Sequence, residues 1–224
     1  MSKPRANKRL TALVLQGGGA LGAYEYGVVK ALYEQPGFKP SVVTGVSIGA
    51  FSAAILAGSK GDPVETLGEM WRRFTLPDSL MVPDQIESYF SLFGNSGMYT
   101  FNPRYLVAPF LATSVYDTTP LRNALEEWID VDKLNTAEMR AIVTAVDVQT
   151  GELHAFDNRN SLTIDHVLAS GSLPPGFPMT KVDDAYYWDG ALVSNTPLSA
   201  ALNAIEQIGE NDAGQLGAQV RSLI

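Results

Sequence analysis

The chain has 224 residues, 46% of them hydrophobic, which favours a single domain with a sizeable core. Its 24 acidic and 16 basic residues give a net charge of −8, which argues against a nucleic-acid partner and provides no attraction to anionic lipid. Cysteine is absent and only two histidines occur, so disulfides, thiol nucleophiles and cysteine metal sites are excluded and a histidine-rich metal site is disfavoured.

The beginning of the chain shows no sign of membrane targeting. Residues 1–9 are basic and are predicted to be a disordered arm. The apolar stretch behind them is interrupted by three glycines and is too short for a signal peptide. No apolar run approaches the roughly 20 residues of a membrane span. We therefore expect a cytoplasmic protein by default, while peripheral membrane contact and export by a dedicated machine stay open.

Apolar strands alternate with helices in the first half of the chain. Short apolar runs predict buried strands at residues 10–15 and 41–44. Helical patterns follow at residues 21–34, 50–57 and 64–74. Asp62 and Pro63 suit the N-cap and the first position of the third helix. This alternation predicts α/β layers around a mainly parallel central sheet.

Residues 77–116 have the least regular pattern of the chain. Aromatic residues and methionines recur there between prolines and glycines. Such a segment is compatible with a mobile apolar cap over a site, with a surface that makes transient contact with a membrane, or with an irregular part of the core. The sequence leaves these three interpretations open.

The second half of the chain is predicted to continue the same unit, which spans residues 10–208. Helical patterns occur at residues 121–129, 164–169 and 197–208. Strand patterns occur at residues 140–148, 153–156 and 185–188, and the first two form a hairpin. Residues 209–224 are polar and spaced by glycines, and are predicted to be a tail with no further strand.

A G-x-S-x-G motif, Gly45-Val46-Ser47-Ile48-Gly49, lies between the second predicted strand and a helix. A strand, a tight turn with a serine at its apex and a helix are the setting of a nucleophile elbow. A β-carbon at either glycine would clash in so sharp a turn, and the helix dipole favours negative charge near Ser47. The alternative is a Gly/Ser turn that only joins strand to helix.

Gly17, Gly19 and Gly22 spell G-x-G-x-x-G between a strand and a helix, which also matches a dinucleotide-binding fingerprint. That fingerprint predicts an acidic residue about 20 positions further on, and residues 35–61 contain no Asp or Glu, which argues against a dinucleotide site. The other function open to Gly17, Gly18 and Gly19 is to hold the oxyanion of a tetrahedral intermediate with their backbone N–H groups. A tight turn without a ligand is the alternative.

A serine nucleophile also needs a proton acceptor. His154 and His166 both precede Asp189, whereas α/β-hydrolases place the histidine last. Asp189 ends a predicted strand, and Gly190 and Ala191 behind it permit a close turn. A carboxylate in a partly dry cleft has its pKa raised and can serve as the base. Alternatively, Asp189 caps its own turn.

Three blocks in this order, residues 17–22, 45–49 and 189–191, resemble the signature of the patatin-like phospholipase family. Residues 169–178, Ala-Ser-Gly-Ser-Leu-Pro-Pro-Gly-Phe-Pro, are similar to the family's stretch ahead of its aspartate. The resemblance covers roughly residues 10–200 and implies a bacterial patatin-like lipid acyl hydrolase. It also implies a three-layer α/β/α fold with a mainly parallel central sheet and a nucleophile elbow.

The resemblance implies a catalytic dyad, with Ser47 as the nucleophile and Asp189 as the base. It places the oxyanion hole at Gly17, Gly18 and Gly19. The remaining residues of the motifs are Gly22, Gly45, Gly49, Gly190 and Ala191. The implied substrate is a phospholipid or another acyl-ester lipid, cleaved through an acyl-enzyme as in phospholipases A and lysophospholipases. No metal or cofactor is expected.

Two positions depart from the family pattern. Leu21 stands where many members carry Arg or Lys, which leaves the headgroup preference open, and Ala191 stands in place of a second glycine. The chain also ends soon after the helix behind Asp189, so residues 209–224 are expected to be a truncated tail that leaves a strand edge exposed.

Two rival functions stay open from the sequence. One is a Ser-His-Asp esterase or acyltransferase that uses His154 or His166 as its base. The other is a domain that binds lipid surfaces without turnover, for which the apolar residues 77–116 are the motivation.

Overall fold

The computed structural model describes residues 10–75, 94, 95, 97–108, 110, 112–211 and 218–223. The predicted basic arm, residues 1–9, and residues 77–93 of the predicted apolar cap lie outside these residues. Along the described residues, no helix is both long enough and apolar enough to cross a membrane.

Ten strands occur in the described part of the chain. They are β1 (Leu10–Leu15), β2 (Val42–Gly45), β3 (Gly94–Asn95), β4 (Tyr99–Phe101), β5 (Tyr116–Asp117), β6 (Arg140–Asp147), β7 (Leu153–Asp157), β8 (Thr180–Val182), β9 (Ala185–Asp189) and β10 (Ala218–Leu223). The large sheet has the order β10-β1-β2-β6-β9-β8, with β7 also paired to β6, and β3, β4 and β5 form a small antiparallel sheet. The first four strands of the large sheet run parallel, whereas β7 and β9 are antiparallel to β6.

The same residues form eight α-helices. They are α1 (Gly22–Tyr33), α2 (Ile48–Gly58), α3 (Pro63–Phe74), α4 (Pro103–Val107), α5 (Thr119–Trp128), α6 (Val131–Thr136), α7 (Ile164–Ser170) and α8 (Leu198–Asn211). The predicted cap of α3 is confirmed, since the Asp62 side chain accepts the N–H groups of Val64 and Glu65. The predicted hairpin is also confirmed, as β6 and β7 pair over residues 142–146 and 153–157.

Helices cover both faces of the large sheet. Successive side chains of a strand point to opposite faces, so each strand contributes to both helix–sheet interfaces. On one face, Leu13 and Leu15 of β1 join a cluster with residues of α1, α2, α3, α5, α6 and α7. On the other face, Ala12 and Val14 of the same strand pack with Ile205 of α8. The expected three-layer α/β/α architecture is therefore confirmed.

The central strand β6 brings two distant parts of the chain to one edge. β2 pairs with residues 140–143 of β6, β7 with residues 142–146 and β9 with residues 145–147. β7 pairs with some of the same β6 residues as β2 does, and with some of the same residues as β9 does. It must therefore lie along the opposite edge of β6 from both of these strands. β2 and β9 therefore share an edge of β6, and the end of β9 comes to lie where β2 has ended.

The prediction that no strand follows residue 209 is wrong. Helix α8 extends to Asn211, and β10 pairs in parallel with β1 over six residues, from Leu10 opposite Ala218 to Leu15 opposite Leu223. The polar sequence of this segment gives no apolar run to detect. The strand obtains its backbone hydrogen bonds from the edge of β1, which would otherwise be exposed.

Candidate active site

Ser47 lies at the turn between β2 and α2, at the N-cap of that helix. Its φ angle of 55° is in a region that residues with a side chain rarely adopt, so the surrounding structure must hold it there. A β-carbon on Gly45 would lie 2.2 Å from the Gly49 carbonyl oxygen, and one on Gly49 would lie 2.4 Å from the Leu15 carbonyl oxygen. The turn therefore requires both glycines of the motif.

Ser170, the last residue of α7, holds the backbone of Ser47. It belongs to the 169–178 stretch that resembles the family, but the sequence did not assign it this role. The Ser47 N–H lies 3.1 Å from both the carbonyl oxygen and the Oγ of Ser170. The same Oγ donates a hydrogen bond to the Thr144 carbonyl oxygen of β6 at 2.7 Å. Ser170 is fully buried. It thus ties the strained turn to the central strand.

Asp189 is the last residue of β9. It lies near Ser47 because β9 and β2 pair with consecutive parts of the same edge of β6. It lies opposite Ala145, two residues beyond the position of β6 that pairs with Gly45. The residue is only 1% exposed. Its Oδ1 accepts the Ala191 N–H at 2.8 Å, whereas its Oδ2 accepts no hydrogen bond from a described residue. A β-carbon on Gly190 would lie 2.4 Å from the Thr144 carbonyl oxygen, so glycine alone fits there.

The pKa of Asp189 is determined mainly by burial and, to a smaller extent, by Ser47. Burial raises the pKa of the Asp189 carboxyl above its ordinary value of 3.8, while the Ser47 hydroxyl and the Ala191 N–H lower it by less. The hydroxyl is therefore close enough to act on the carboxylate, although it does not complete a hydrogen bond of ordinary geometry to Oδ2. Such bonds are often long in enzymes without substrate.

The glycine loop behind β1 approaches Ser47 and Ala191, the residue two positions after Asp189. A β-carbon on Gly17 would lie 3.2 Å from the Ser47 β-carbon and 3.4 Å from that of Ala191. The Gly17 N–H already donates to the Asn195 carbonyl oxygen at 3.3 Å, and the Asn195 Nδ2 donates to the Gly17 carbonyl oxygen at 3.0 Å. The N–H groups of Gly18 and Gly19 donate to no described residue. These two groups, rather than that of Gly17, are the free donors of the loop.

A buried glutamate, Glu25 of α1, supports the loop from the other side, and the sequence did not indicate it. Its Oε1 accepts the Gln16 N–H at 2.9 Å, and burial raises its pKa to about 7. A cavity of about 430 Å³ lies beside it, lined in part by Gln16, Gly18, Leu21 and Tyr24. Because Leu21 and Tyr24 are exposed, the glycine loop lies at the surface on this side.

The structure does not place either histidine next to Ser47 and Asp189. His154 lies opposite Ala145 on β7, across β6 from Asp189, so the two backbones are roughly 10 Å apart. The Nδ1 of His166 is 3.1 Å from the Thr163 N–H and 2.7 Å from the Thr163 Oγ1, in a capping box at the start of α7. Within the described ranges, no three His, Asp or Glu side chains are grouped as metal ligands.

The family model for patatin-like phospholipases matches residues 13–202. The chain belongs to the patatin-like phospholipase family. The matched range contains the glycine loop, Ser47 and Asp189, so the family that the three sequence blocks indicated is confirmed. The mixed sheet with helices on both faces is the patatin fold.

Curated patatin-like relatives match shorter stretches. A patatin-like phospholipase domain-containing protein of Chaetomium globosum is 42% identical over 62 residues, which are 28% of this chain and 7% of the relative. A cGAMP-activated phospholipase of Pseudomonas aeruginosa is 29% identical over 120 residues, which cover 48% of this chain and 36% of the relative. The chain thus spans a minor part of the length of these relatives.

Two solved structures align with most of the chain at low identity. VipD from Legionella pneumophila has a TM-score of 0.46 and 17% identity, over 87% of this chain and 51% of VipD. A chain of the ExoU–SpcU complex from Pseudomonas aeruginosa has a TM-score of 0.36 and 21% identity, over 75% of this chain and 37% of the other.

Proposed function

We propose that this patatin-like protein is a lipid acyl hydrolase that cleaves fatty-acyl esters through a Ser47–Asp189 dyad, as a phospholipase A or lysophospholipase does. The observation that carries the proposal is the buried carboxyl of Asp189, with one unpartnered oxygen and a raised pKa, beside a serine at a strained turn. A carboxylate of this kind has the position and the basicity of a general base.

In the first step, Asp189 accepts the hydroxyl proton of Ser47 while the Ser47 Oγ forms a bond to the ester carbonyl carbon. The carbonyl oxygen becomes an oxyanion. When the tetrahedral intermediate collapses, the bond between this carbon and the alcohol oxygen breaks, and Asp189 returns the proton to the leaving alcohol. The fatty-acyl group stays on Ser47 as an ester.

In the second step, Asp189 accepts a proton from water, and the water oxygen attacks the acyl-enzyme carbonyl. Collapse of this second intermediate releases the fatty acid and returns the proton to Ser47. The free N–H groups of Gly18 and Gly19 are suited to hold the oxyanion in both steps. Removing one such donor in other enzymes costs about 100- to 1,000-fold in kcat.

The described part of the apolar segment supports contact with a lipid surface as part of this function. Leu106 and Val107 of α4 and the nearby Phe110 are strongly exposed. Large apolar side chains exposed together are typical of interaction surfaces. Because the net charge is −8, a zwitterionic lipid surface is more favourable for this contact than an anionic one.

The proposal is tested by turnover of p-nitrophenyl acyl esters and of phosphatidylcholine dispersions. Ser47→Ala and Asp189→Asn are each expected to lower kcat by at least about 1,000-fold. Ser199→Ala and Asp184→Asn are matched controls, because both residues are exposed, and they should keep wild-type turnover. Full activity in Ser47→Ala would end the proposal.

A second pair of variants separates the dyad from a Ser-His-Asp triad. His154→Gln and His166→Gln should retain most of the turnover, since neither histidine contacts Ser47 or Asp189 among the described contacts. A loss of about 1,000-fold in either variant, with the fold intact, would favour the triad instead.

A further inference from the structure

Glu25 is a buried acidic group for which the dyad mechanism has no use. It lies in the first turn of α1 and is 4% exposed. Its Oε1 accepts a single hydrogen bond, from the Gln16 N–H at 2.9 Å, and its Oε2 has no partner among the described residues. Burial of a carboxyl with one oxygen unsatisfied costs free energy. The bond that this carboxyl does make is to the Gln16 N–H, at the start of the glycine loop.

Gln16 is the last residue before the glycine loop. Its N–H is held by Glu25, and its Oε1 accepts the Thr196 hydroxyl at 3.3 Å. Gly17, next along the chain, is held at its N–H and its carbonyl oxygen by Asn195. The chain is therefore fixed on both sides up to Gly17, and the free N–H groups of Gly18 and Gly19 follow immediately.

The position of Glu25 is fixed because its helix, α1, packs closely against the turn that carries Ser47. A β-carbon on Gly22, one turn before Glu25, would lie 3.0 Å from the side chain of Ile48 and 2.9 Å from that of Trp71. Ile48 directly follows Ser47. The hydrogen bond from Gln16 to Glu25 thus connects the start of the glycine loop to a helix that is packed against the nucleophile turn.

We propose that Glu25 is a positioning residue that anchors the glycine loop through the Gln16 N–H and thereby sets the Gly18 and Gly19 N–H groups relative to Ser47. The catalytic part of this inference rests on the proposed hydrolase function, whereas the anchoring of the loop does not. The raised pKa of Glu25, about 7, agrees with a carboxyl that burial keeps away from water.

The informative variants differ in whether they keep an acceptor for the Gln16 N–H. Glu25→Met has a similar volume and no oxygen, and should lower kcat by about 10- to 100-fold with little change in KM, since displaced donors act on the transition state. Glu25→Gln keeps a carbonyl oxygen and should recover most of that loss. Glu34→Ala, an exposed position at the end of the same helix, is the control and should behave as wild type.

Two further readouts separate positioning from a general loss of structure. The inhibition constant of a long-chain trifluoromethyl ketone, which forms a tetrahedral adduct, should rise in Glu25→Met by the same factor as kcat/KM falls. Amide hydrogen exchange at Gln16 and Gly17, whose N–H groups are hydrogen-bonded, should be faster in Glu25→Met than in Glu25→Gln or wild type, while exchange in β2 and β6 stays unchanged.

Unchanged exchange at Gln16 and Gly17 in Glu25→Met would overturn the proposal, and so would faster exchange with unchanged kcat. If the wild type shows no ester turnover, the hydrolase assignment has failed. Exchange then still decides whether Glu25 anchors the loop. If Glu25→Met does not fold, the same comparison is made with Glu25→Leu.

Discussion

Asp189 is placed where burial and catalysis act on one carboxyl in opposite ways. Burial raises its pKa and makes the charged form costly, while a general base must be charged to accept a proton. The Ser47 hydroxyl and the Ala191 N–H partly stabilise the charged form. The result is a carboxylate that is a stronger base than an exposed aspartate, obtained at some cost in stability.

This cost predicts a dependence of stability on pH. A group whose folded pKa is raised contributes stability that is present below its ordinary pKa of 3.8 and is lost as pH rises through the folded pKa. Asparagine does not titrate, so Asp189→Asn should gain stability relative to wild type as pH rises above 3.8, until the Asp189 carboxyl of the folded protein is fully ionised. Each unit of raised pKa corresponds to about 1.4 kcal/mol.

Urea unfolding at several pH values measures this difference in the free energy of unfolding. Asp184→Asn is the control, because Asp184 is exposed and should show no such trend. If the free energies of unfolding of Asp189→Asn and wild type differ by the same amount at every pH, burial does not raise the pKa of Asp189 and the prediction is wrong.

At the scale of the element, the turn between β2 and α2 is a strained segment held by its neighbours. The φ angle of Ser47 is sustained by the hydrogen bonds to Ser170 and by the close backbone contacts of Gly45 and Gly49. Such strain persists only where the surrounding packing fixes it. The turn, and not the serine alone, is therefore what directs the hydroxyl.

The prediction at this scale compares two Gly→Ala changes. Gly45→Ala places a β-carbon 2.2 Å from a backbone oxygen and should destabilise the protein by about 1–3 kcal/mol or more, with loss of turnover. Gly27→Ala, in α1 with open space around it, should stabilise by up to about 1 kcal/mol. Thermal unfolding of both variants checks this, and similar effects of the two would contradict the close packing at the elbow.

The sequence was sufficient for the elements whose signal is local. The apolar runs of β1, β2 and β6 and the glycines of the elbow predicted strands, a sharp turn and the family. The sequence was insufficient for contacts between residues that are far apart along the chain. Glu25 is an unremarkable helical residue, and Ser170 is only one member of a family-like stretch, until the fold brings them to Gln16 and Ser47. The sharing of one edge of β6 by β2 and β9 likewise depends on pairing between remote strands.

At the scale of the whole molecule, the site lies where three strands of the large sheet end. β1 supplies the glycine loop, β2 the elbow and β9 the base, and all three end near one another in the sheet. The position of the loop depends on β1, whose other neighbour is β10. Strand β10 is therefore the neighbour of the strand that carries the glycine loop, although it is remote in sequence.

This pairing predicts that proline in β10 will weaken the protein. β10 is at the edge of the described sheet, so alternate N–H groups face β1 and proline removes one donor. Of Gln219→Pro and Val220→Pro, one should lower the free energy of unfolding by about 1–3 kcal/mol more than the other. Urea unfolding decides this, and two equal, negligible effects would contradict the pairing of β10 with β1.

The most direct test of the Ser47–Asp189 dyad is fluorophosphonate labelling of the intact wild-type protein, Ser47→Ala and Asp189→Asn, read by mass spectrometry. The Ser47–Asp189 dyad predicts one adduct on Ser47 in the wild type, none in Ser47→Ala and much slower labelling in Asp189→Asn. Labelling that persists in Ser47→Ala, or a folded wild type that never labels, would contradict it.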